Sequence, residues 1–171
     1  EGRFDQSLVT IYNDDGSVAL DHEAYPRPET TAEGLAALTP SFAKMVDLTL
    51  EQSDRTMMEL VNQVYPGVTL NHVHHAGNSS GVVDGAGAVL LAAPDYAKAH
   101  GLRPRGRIVM SAVAADEPLI MLTAPGPAAL KCLAKAGMTV ADIDLFEVNE
   151  AFASVVLRFF RDTGADPAKV N

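Results

Sequence analysis

The apolar positions of this chain fall into short runs with two distinct periods. From Ser7 to Tyr12 apolar and polar residues alternate as in a strand, Asn13-Asp14-Asp15-Gly16 is a turn signal, and Ser17 to Leu20 reads as the returning strand. Ala32 to Leu38 predicts a short helix stopped by Thr39-Pro40, and the pattern between Leu50 and Val64 adds a second helix. Gly85-Ala86-Gly87-Ala88-Val89-Leu90-Leu91-Ala92 is small and apolar throughout, the pattern of a strand buried on both faces. Pro94 to His100 reads as a helix closed by Gly101, and Gly106 to Ala115 begins a further strand. Pro127 to Ala136 predicts a helix with proline in its first turn and glycine just past its last. Thr139-Val140-Ala141-Asp142 is spaced as a capping box, with aspartate in place of the usual glutamate. Ile143 to Val148 then reads as a buried strand, after which Phe152, Val155, Val156 and Phe159 recur at helical spacing. Asn149 falls between them, at the expected N-cap, where its side-chain oxygen can take a free backbone N–H.

Composition narrows what such a chain can be. Its 171 residues are 47% hydrophobic, enough for a substantial core in one domain or in parts of two. The net charge of −9 argues against a nucleic-acid surface, because phosphate affinity rests on clustered lysine and arginine. No apolar run approaches the roughly 20 residues that span a bilayer, so no membrane span is expected. The start Glu1-Gly2-Arg3-Phe4-Asp5 lacks the cationic and then apolar order of a signal peptide, and a cytoplasmic protein is the expectation. Cys132 is the single cysteine, which excludes an internal disulfide. Its apolar neighbours predict a buried thiol, with Lys131 and Lys135 solvated beside it, and make it a poor nucleophile.

Several short motifs offer other chemistry. Gly77-Asn78-Ser79-Ser80-Gly81 satisfies the Gly-x-Ser-x-Gly pattern of a nucleophile elbow, but the only later histidine is His100 and a triad would have to close through Asp84 or Asp95 over very little sequence. His72, His74 and His75 have no further histidine or cysteine at ligand spacing, so a polar strand end is the expectation and no metal is assigned. Gly85-Ala86-Gly87-Ala88 lacks the third glycine of a dinucleotide fingerprint. Arg103, Arg105 and Arg107 read as a solvated approach to the next strand.

Four motifs taken together are more specific. Arg27-Pro28-Glu29-Thr30-Thr31 running on to Thr39-Pro40-Ser41-Phe42, then Ala76-Gly77-Asn78-Ser79-Ser80-Gly81 with Asp84-Gly85-Ala86, then Pro127-Ala128-Ala129 with Lys131 and Ala136-Gly137, and finally Asp142 to Ala153 with Asn149-Glu150-Ala151-Phe152-Ala153, stand in the order found in the thiolases. Gly2-Arg3-Phe4 with Leu8-Val9 resembles the family's exit from its N-terminal domain. The chain resembles the middle of a thiolase. The resemblance implies an α/β thiolase-like fold, with residues 1–80 as the coenzyme-binding loop domain, 81–101 as the return into the N-terminal half and 102–171 as the first part of the C-terminal half. The stretch from Ala43 to His75 is longer than in the compact thiolases.

The same resemblance implies an acyl-CoA:acetyl-CoA C-acyltransferase, cleaving 3-ketoacyl-CoA with coenzyme A or condensing two thioesters. Coenzyme A thioesters are then substrates, no cofactor is needed, and a homo-oligomer, dimer or tetramer, is implied. Both directions place negative charge on a thioester oxygen, so donors must stand where that charge develops. In thiolases the asparagine of the Asn-Glu-Ala-Phe motif anchors a water of the oxyanion hole, and Asn149 matches it. Phe152 would shape the acyl pocket, Arg27 would meet the nucleotide end of coenzyme A, and Phe42, Ala76 and Ser80 would flank the pantetheine arm. The family's nucleophilic cysteine precedes this segment, and its histidine and second cysteine follow it. A noncatalytic thiolase-fold protein that binds acyl-CoA or a partner subunit is the alternative implied.

Overall fold

The structure, a computed structural model, describes residues 5–51 and 53–171, so Gly2-Arg3-Phe4 lies outside the described residues. Two compact units divide between Leu38 and Thr39. In the first, β1 (Ile11–Tyr12) pairs antiparallel with β2 (Val18–Leu20), Ile11 facing Leu20 and Tyr12 facing Val18 across an irregularity. The turn between them closes as its residue types require: Gly16 N–H donates to the Asn13 carbonyl at 2.9 Å, and the Asp15 carboxylate accepts from Ser17 N–H at 2.9 Å. The strand covers Ile11 and Tyr12 at the end of the run predicted from Ser7. α1 (Ala32–Ala36) starts where the Thr31 hydroxyl accepts Gly34 N–H at 3.1 Å.

Among the described residues the second unit carries four more α-helices. α2 (Met57–Val64) begins at a capping box in which Glu59 N–H donates to the Thr56 hydroxyl and Thr56 N–H donates to the Glu59 carboxylate. This is shorter than the pattern from Leu50 predicts. Thr49 and Thr56 instead form an antiparallel bridge, and Leu50 N–H donates to the Arg55 carbonyl, so the chain turns back before the helix starts. α3 (Pro94–Ala99) and α4 (Pro125–Ala136) both open on proline. α4 begins two residues earlier than its pattern suggests and stops at Gly137, whose φ of +69° is the left-handed cap that favours glycine. α5 (Ala153–Thr163) ends the same way at Gly164.

The core gathers on α5. Val148, Val156, Phe159 and Ala165 are buried together, with Phe146 laid edge-on against Phe159 at 5.6 Å between ring centroids. The predicted strand from Ile143 to Val148 is short: Phe146 makes a parallel bridge with Val170, and the Asn171 amide extends the pairing by accepting Val148 N–H at 2.7 Å and donating to the Val148 carbonyl at 3.0 Å. α4 reaches α5 through Gly126, which is buried against Asp162.

The segment Gly85 to Ala92 departs from expectation. It forms no ladder among the described residues, and Val89 and Leu90 are each 84% exposed. Burial on both faces needs strands on either side, and none of the described residues pairs with this one. Gly106 to Ala115 likewise has no strand partner among the described residues. It is tied instead to α4, where Lys131 Nζ donates to the Val113 carbonyl at 2.8 Å and Lys135 Nζ to the Ser111 carbonyl at 3.0 Å. These lysines are exposed, as expected, but engaged rather than free.

Candidate functional site

Three stretches distant in sequence converge in the second unit. The loop from Val73 to Ser80 is knitted by its own polar groups: His75 Nδ1 accepts Gly77 N–H, His75 N–H donates to the Asn78 side-chain oxygen, Asn78 Nδ2 donates to the Val73 carbonyl, and the Ser79 hydroxyl donates to the His75 carbonyl at 2.7 Å. Beside it runs the turn leading into α5. Ser79 and Phe152 form an antiparallel bridge, and Ser80 N–H donates to the Ala151 carbonyl at 2.9 Å. The third stretch is Ser41-Phe42, joined to the loop by Ser41 N–H donating to the His74 carbonyl at 2.8 Å.

Phe152 stands where the three meet. Its ring packs edge-on against Phe42, with centroids 5.9 Å apart, and against His74 at 4.8 Å. The other edge of His74 reaches α5, with Nε2 2.9 Å from the Ser154 hydroxyl. Phe42, Ser80 and Phe152 therefore lie on one wall formed by segments up to 110 positions apart, and Ala76 opens the loop that carries Ser80. His74 and Ser154 belong to the same wall, although the sequence alone placed His74 only at a polar strand end. Nothing in the sequence paired Ser154 with a histidine 80 residues away.

Asn149 is not the cap of α5. The N-cap position belongs to Phe152, whose φ of −145° and ψ of 151° are extended, and no side chain caps the first turn. The main chain of Ala151 and Phe152 is engaged with Ser79 and Ser80, which keeps both residues out of the helix and moves its start beyond them. Asn149 instead sits on the approach, exposed, with its carbonyl accepting Ala151 N–H at 3.1 Å and its side chain bonded to none of the described residues. Its amide is thus not committed to a local structural bond. Arg27 lies in the other unit, exposed; its carbonyl accepts from the Thr30 N–H and hydroxyl, and its guanidinium has no partner among the described residues.

The competing motifs have structural explanations. Ser79 sits in extended backbone and is followed by no helix, so the sharp strand-to-helix turn of a nucleophile elbow is missing. His100 stacks on Tyr96 at 3.9 Å between centroids. Among the described residues no group of three histidine, cysteine or carboxylate side chains is placed to hold a metal. Cys132 is half-buried on α4. Ahead of α4, Glu117 collects Leu119 N–H, Ile120 N–H and the Tyr65 hydroxyl; the first of these bonds does most to hold its carboxyl below the ordinary range, while burial, reinforced by that carboxylate, pushes the Tyr65 phenol up.

Comparison with known proteins places this arrangement. Residues 102–171 match the model of the thiolase C-terminal domain. The chain is 37% identical to the acetyl-CoA acetyltransferase of Allochromatium vinosum over 173 aligned positions, covering 99% of this chain and 37% of that protein. It superposes on the dimeric peroxisomal thiolase of Saccharomyces cerevisiae with a TM-score of 0.71 at 34% identity, covering 99% of this chain and 36% of that one. Human mitochondrial 3-ketoacyl-CoA thiolase in complex with CoA gives a TM-score of 0.69 at 33% identity, covering 99% and 36%. The α/β segment that carries this arrangement therefore has the fold of the corresponding part of the thiolases. The chain belongs to the thiolase family, and it spans little more than a third of the length of the relatives it matches.

Proposed function

We propose that the whole protein is an acyl-CoA:acetyl-CoA C-acyltransferase that cleaves 3-ketoacyl-CoA with coenzyme A or runs the reverse condensation. The observation that carries this is the junction of Ser80 with Ala151, which joins the glycine-rich loop motif to the Asn-Glu-Ala-Phe motif and sets Phe152 against Phe42. On this reading Phe42, Ala76 and Ser80 flank the pantetheine arm, Phe152 closes the acyl pocket, and Arg27 meets the nucleotide phosphates. Asn149 supplies its amide, through a held water, to the oxygen on which enolate charge develops, and its freedom from capping supports that role. The acyl group is carried on a cysteine other than Cys132, since Cys132 sits half-buried in the helix α4.

Coenzyme A thioesters are the substrates and no cofactor or metal takes part. The dimeric state of the yeast relative supports a homo-oligomer. No helix of the described residues is long and apolar enough to cross a membrane. A cytoplasmic location is a separate part of this proposal. The test is turnover by the full-length protein, followed as consumption of a short 3-ketoacyl-CoA that depends on added coenzyme A. Binding of coenzyme A with no turnover would make this a noncatalytic acyl-CoA-binding member of the fold instead.

A further inference from the structure

We infer that His74 is the positioning residue of the Asn149 turn, clamping the approach to α5 so that the Asn149 amide is held on the reacting oxygen. The inference deepens the acyl-transfer reading of this site and rests on it. Asn149 has no side-chain bond of its own among the described residues, and the first turn of α5 has no side-chain cap. Its placement is therefore decided by what grips its neighbours, Val148 through the Asn171 amide on one side and residues 151–154 on the other. Main-chain contacts supply part of the grip, through the Ser80 to Ala151 bond and the Ser79–Phe152 bridge. His74 adds a side-chain grip of its own, because one imidazole meets both Phe152, at 4.8 Å between centroids, and Ser154, at 2.9 Å from Nε2.

His74 is itself anchored where it can transmit that grip. Its carbonyl accepts Ser41 N–H at 2.8 Å, beside Phe42, whose ring packs on Phe152 from another direction. Neighbouring His75 caps the following turn, so the loop cannot slide without breaking several bonds. A histidine that merely filled space would cost stability when replaced and leave turnover by the folded enzyme alone. A clamp predicts a different signature. A shift of about 1 Å in a reacting group can cost about 10²-fold in rate while barely changing how the rest of a substrate binds.

The experiment uses the full-length protein and compares His74→Phe, His74→Gln, His74→Ala and Ser154→Ala with the double variant His74→Phe/Ser154→Ala. Phenylalanine keeps the edge contact with Phe152 and loses the bond to Ser154; glutamine offers an amide that reaches Ser154 and loses the ring. The clamp predicts that kcat falls about 10- to 100-fold in His74→Ala with KM changed less than about threefold. It also predicts that His74→Gln recovers part of that loss, and that the double variant is no slower than the slower of its two single variants, because both remove the same bond. His74→Phe and Ser154→Ala with unaltered kcat would overturn the inference, and so would additive losses in the double variant. Those outcomes leave thiolytic turnover by the parent enzyme intact. Absence of turnover in the parent itself would remove the acyl-transfer reading and this inference with it.

Discussion

Gly126 is a close contact between α4 and α5, and replacing it by alanine tests how tightly that contact is set. A methyl carbon built at Gly126 lies 2.6 Å from Cβ of Asp162, 2.7 Å from its Oδ2 and 3.1 Å from its Cγ. The first of these atoms is fixed to the α5 backbone, so rotating the carboxylate away does not relieve the overlap. The carboxylate is also held: Arg158 Nε donates to both Asp162 oxygens, at 2.8 and 3.0 Å. Overpacking of this kind typically costs about 1–3 kcal/mol. Losing the partly exposed pair with Arg158 adds about 0.3–0.5 kcal/mol. Against these stands the better helix propensity of alanine, at most about 1 kcal/mol and less in the first turn. The balance is a loss of about 1–2 kcal/mol on those figures. Denaturant unfolding of Gly126→Ala should show it, with Gly126→Ala/Asp162→Gly recovering part of the loss by removing the opposing Cβ. A Gly126→Ala protein as stable as its parent would refute the packing argument. Because α5 carries the Asn149 approach, turnover should fall along with stability.

Other substitutions separate binding from chemistry. Asn149→Asp in the full-length enzyme should keep its melting temperature, since Asn149 caps no helix, while turnover drops about 10²–10³-fold as for loss of an oxyanion donor; steady-state kinetics with calorimetry checks both. Arg27→Ala should weaken coenzyme A binding only a few-fold, on the scale of about 0.2–1 kcal/mol for an exposed charge pair, and flatten its salt dependence; titrations at two ionic strengths measure this. The carboxyls of Asp142, held down first by Thr139 N–H, and of Glu117, held down first by Leu119 N–H, are depressed in the fold. Their stabilisation is therefore complete above the ordinary carboxylate range and is lost as pH falls through the lowered values. Melting temperature should decline on acidification from about pH 5 downward. Asp142→Asn should shallow that decline, and an unchanged slope would contradict it.

Where local chemistry decides the outcome, the sequence alone was enough. The hairpin about Asn13 to Gly16, a proline in the first turn of α4, the glycine that closes it and the Thr139–Asp142 box all follow from residue types within a few positions of one another. The misplacements share another origin. Phe152 begins the apolar period of α5 but stays extended because its main chain pairs with Ser79, 73 positions away. No periodicity records that bond, so Asn149 looked like a cap. Val89 and Leu90 have the pattern of a sandwiched strand, and their exposure depends on strands that the described residues do not contain. His74 was legible as a polar residue near the coenzyme loop, but its ring contact with Phe152 and its bond to Ser154 exist only once the chain has folded.

The two lysine bonds from α4 have a consequence for how the segment from Gly106 to Ala115 can be joined. Lys131 and Lys135 stand about 6 Å apart along the helix axis. The carbonyls of Val113 and Ser111 that they reach are spaced about 6.6 Å apart in an extended chain. The match lets both ammonium groups meet carbonyls that point to the same side. Backbone groups of successive residues face opposite edges of an extended chain, so α4 lies along the edge formed by 111 and 113. The edge formed by 110, 112 and 114 is left open to an incoming strand. Two charged side chains thereby act as a stop on one flank, fixing the direction in which a sheet can grow from this segment and denying the other flank to a stray chain.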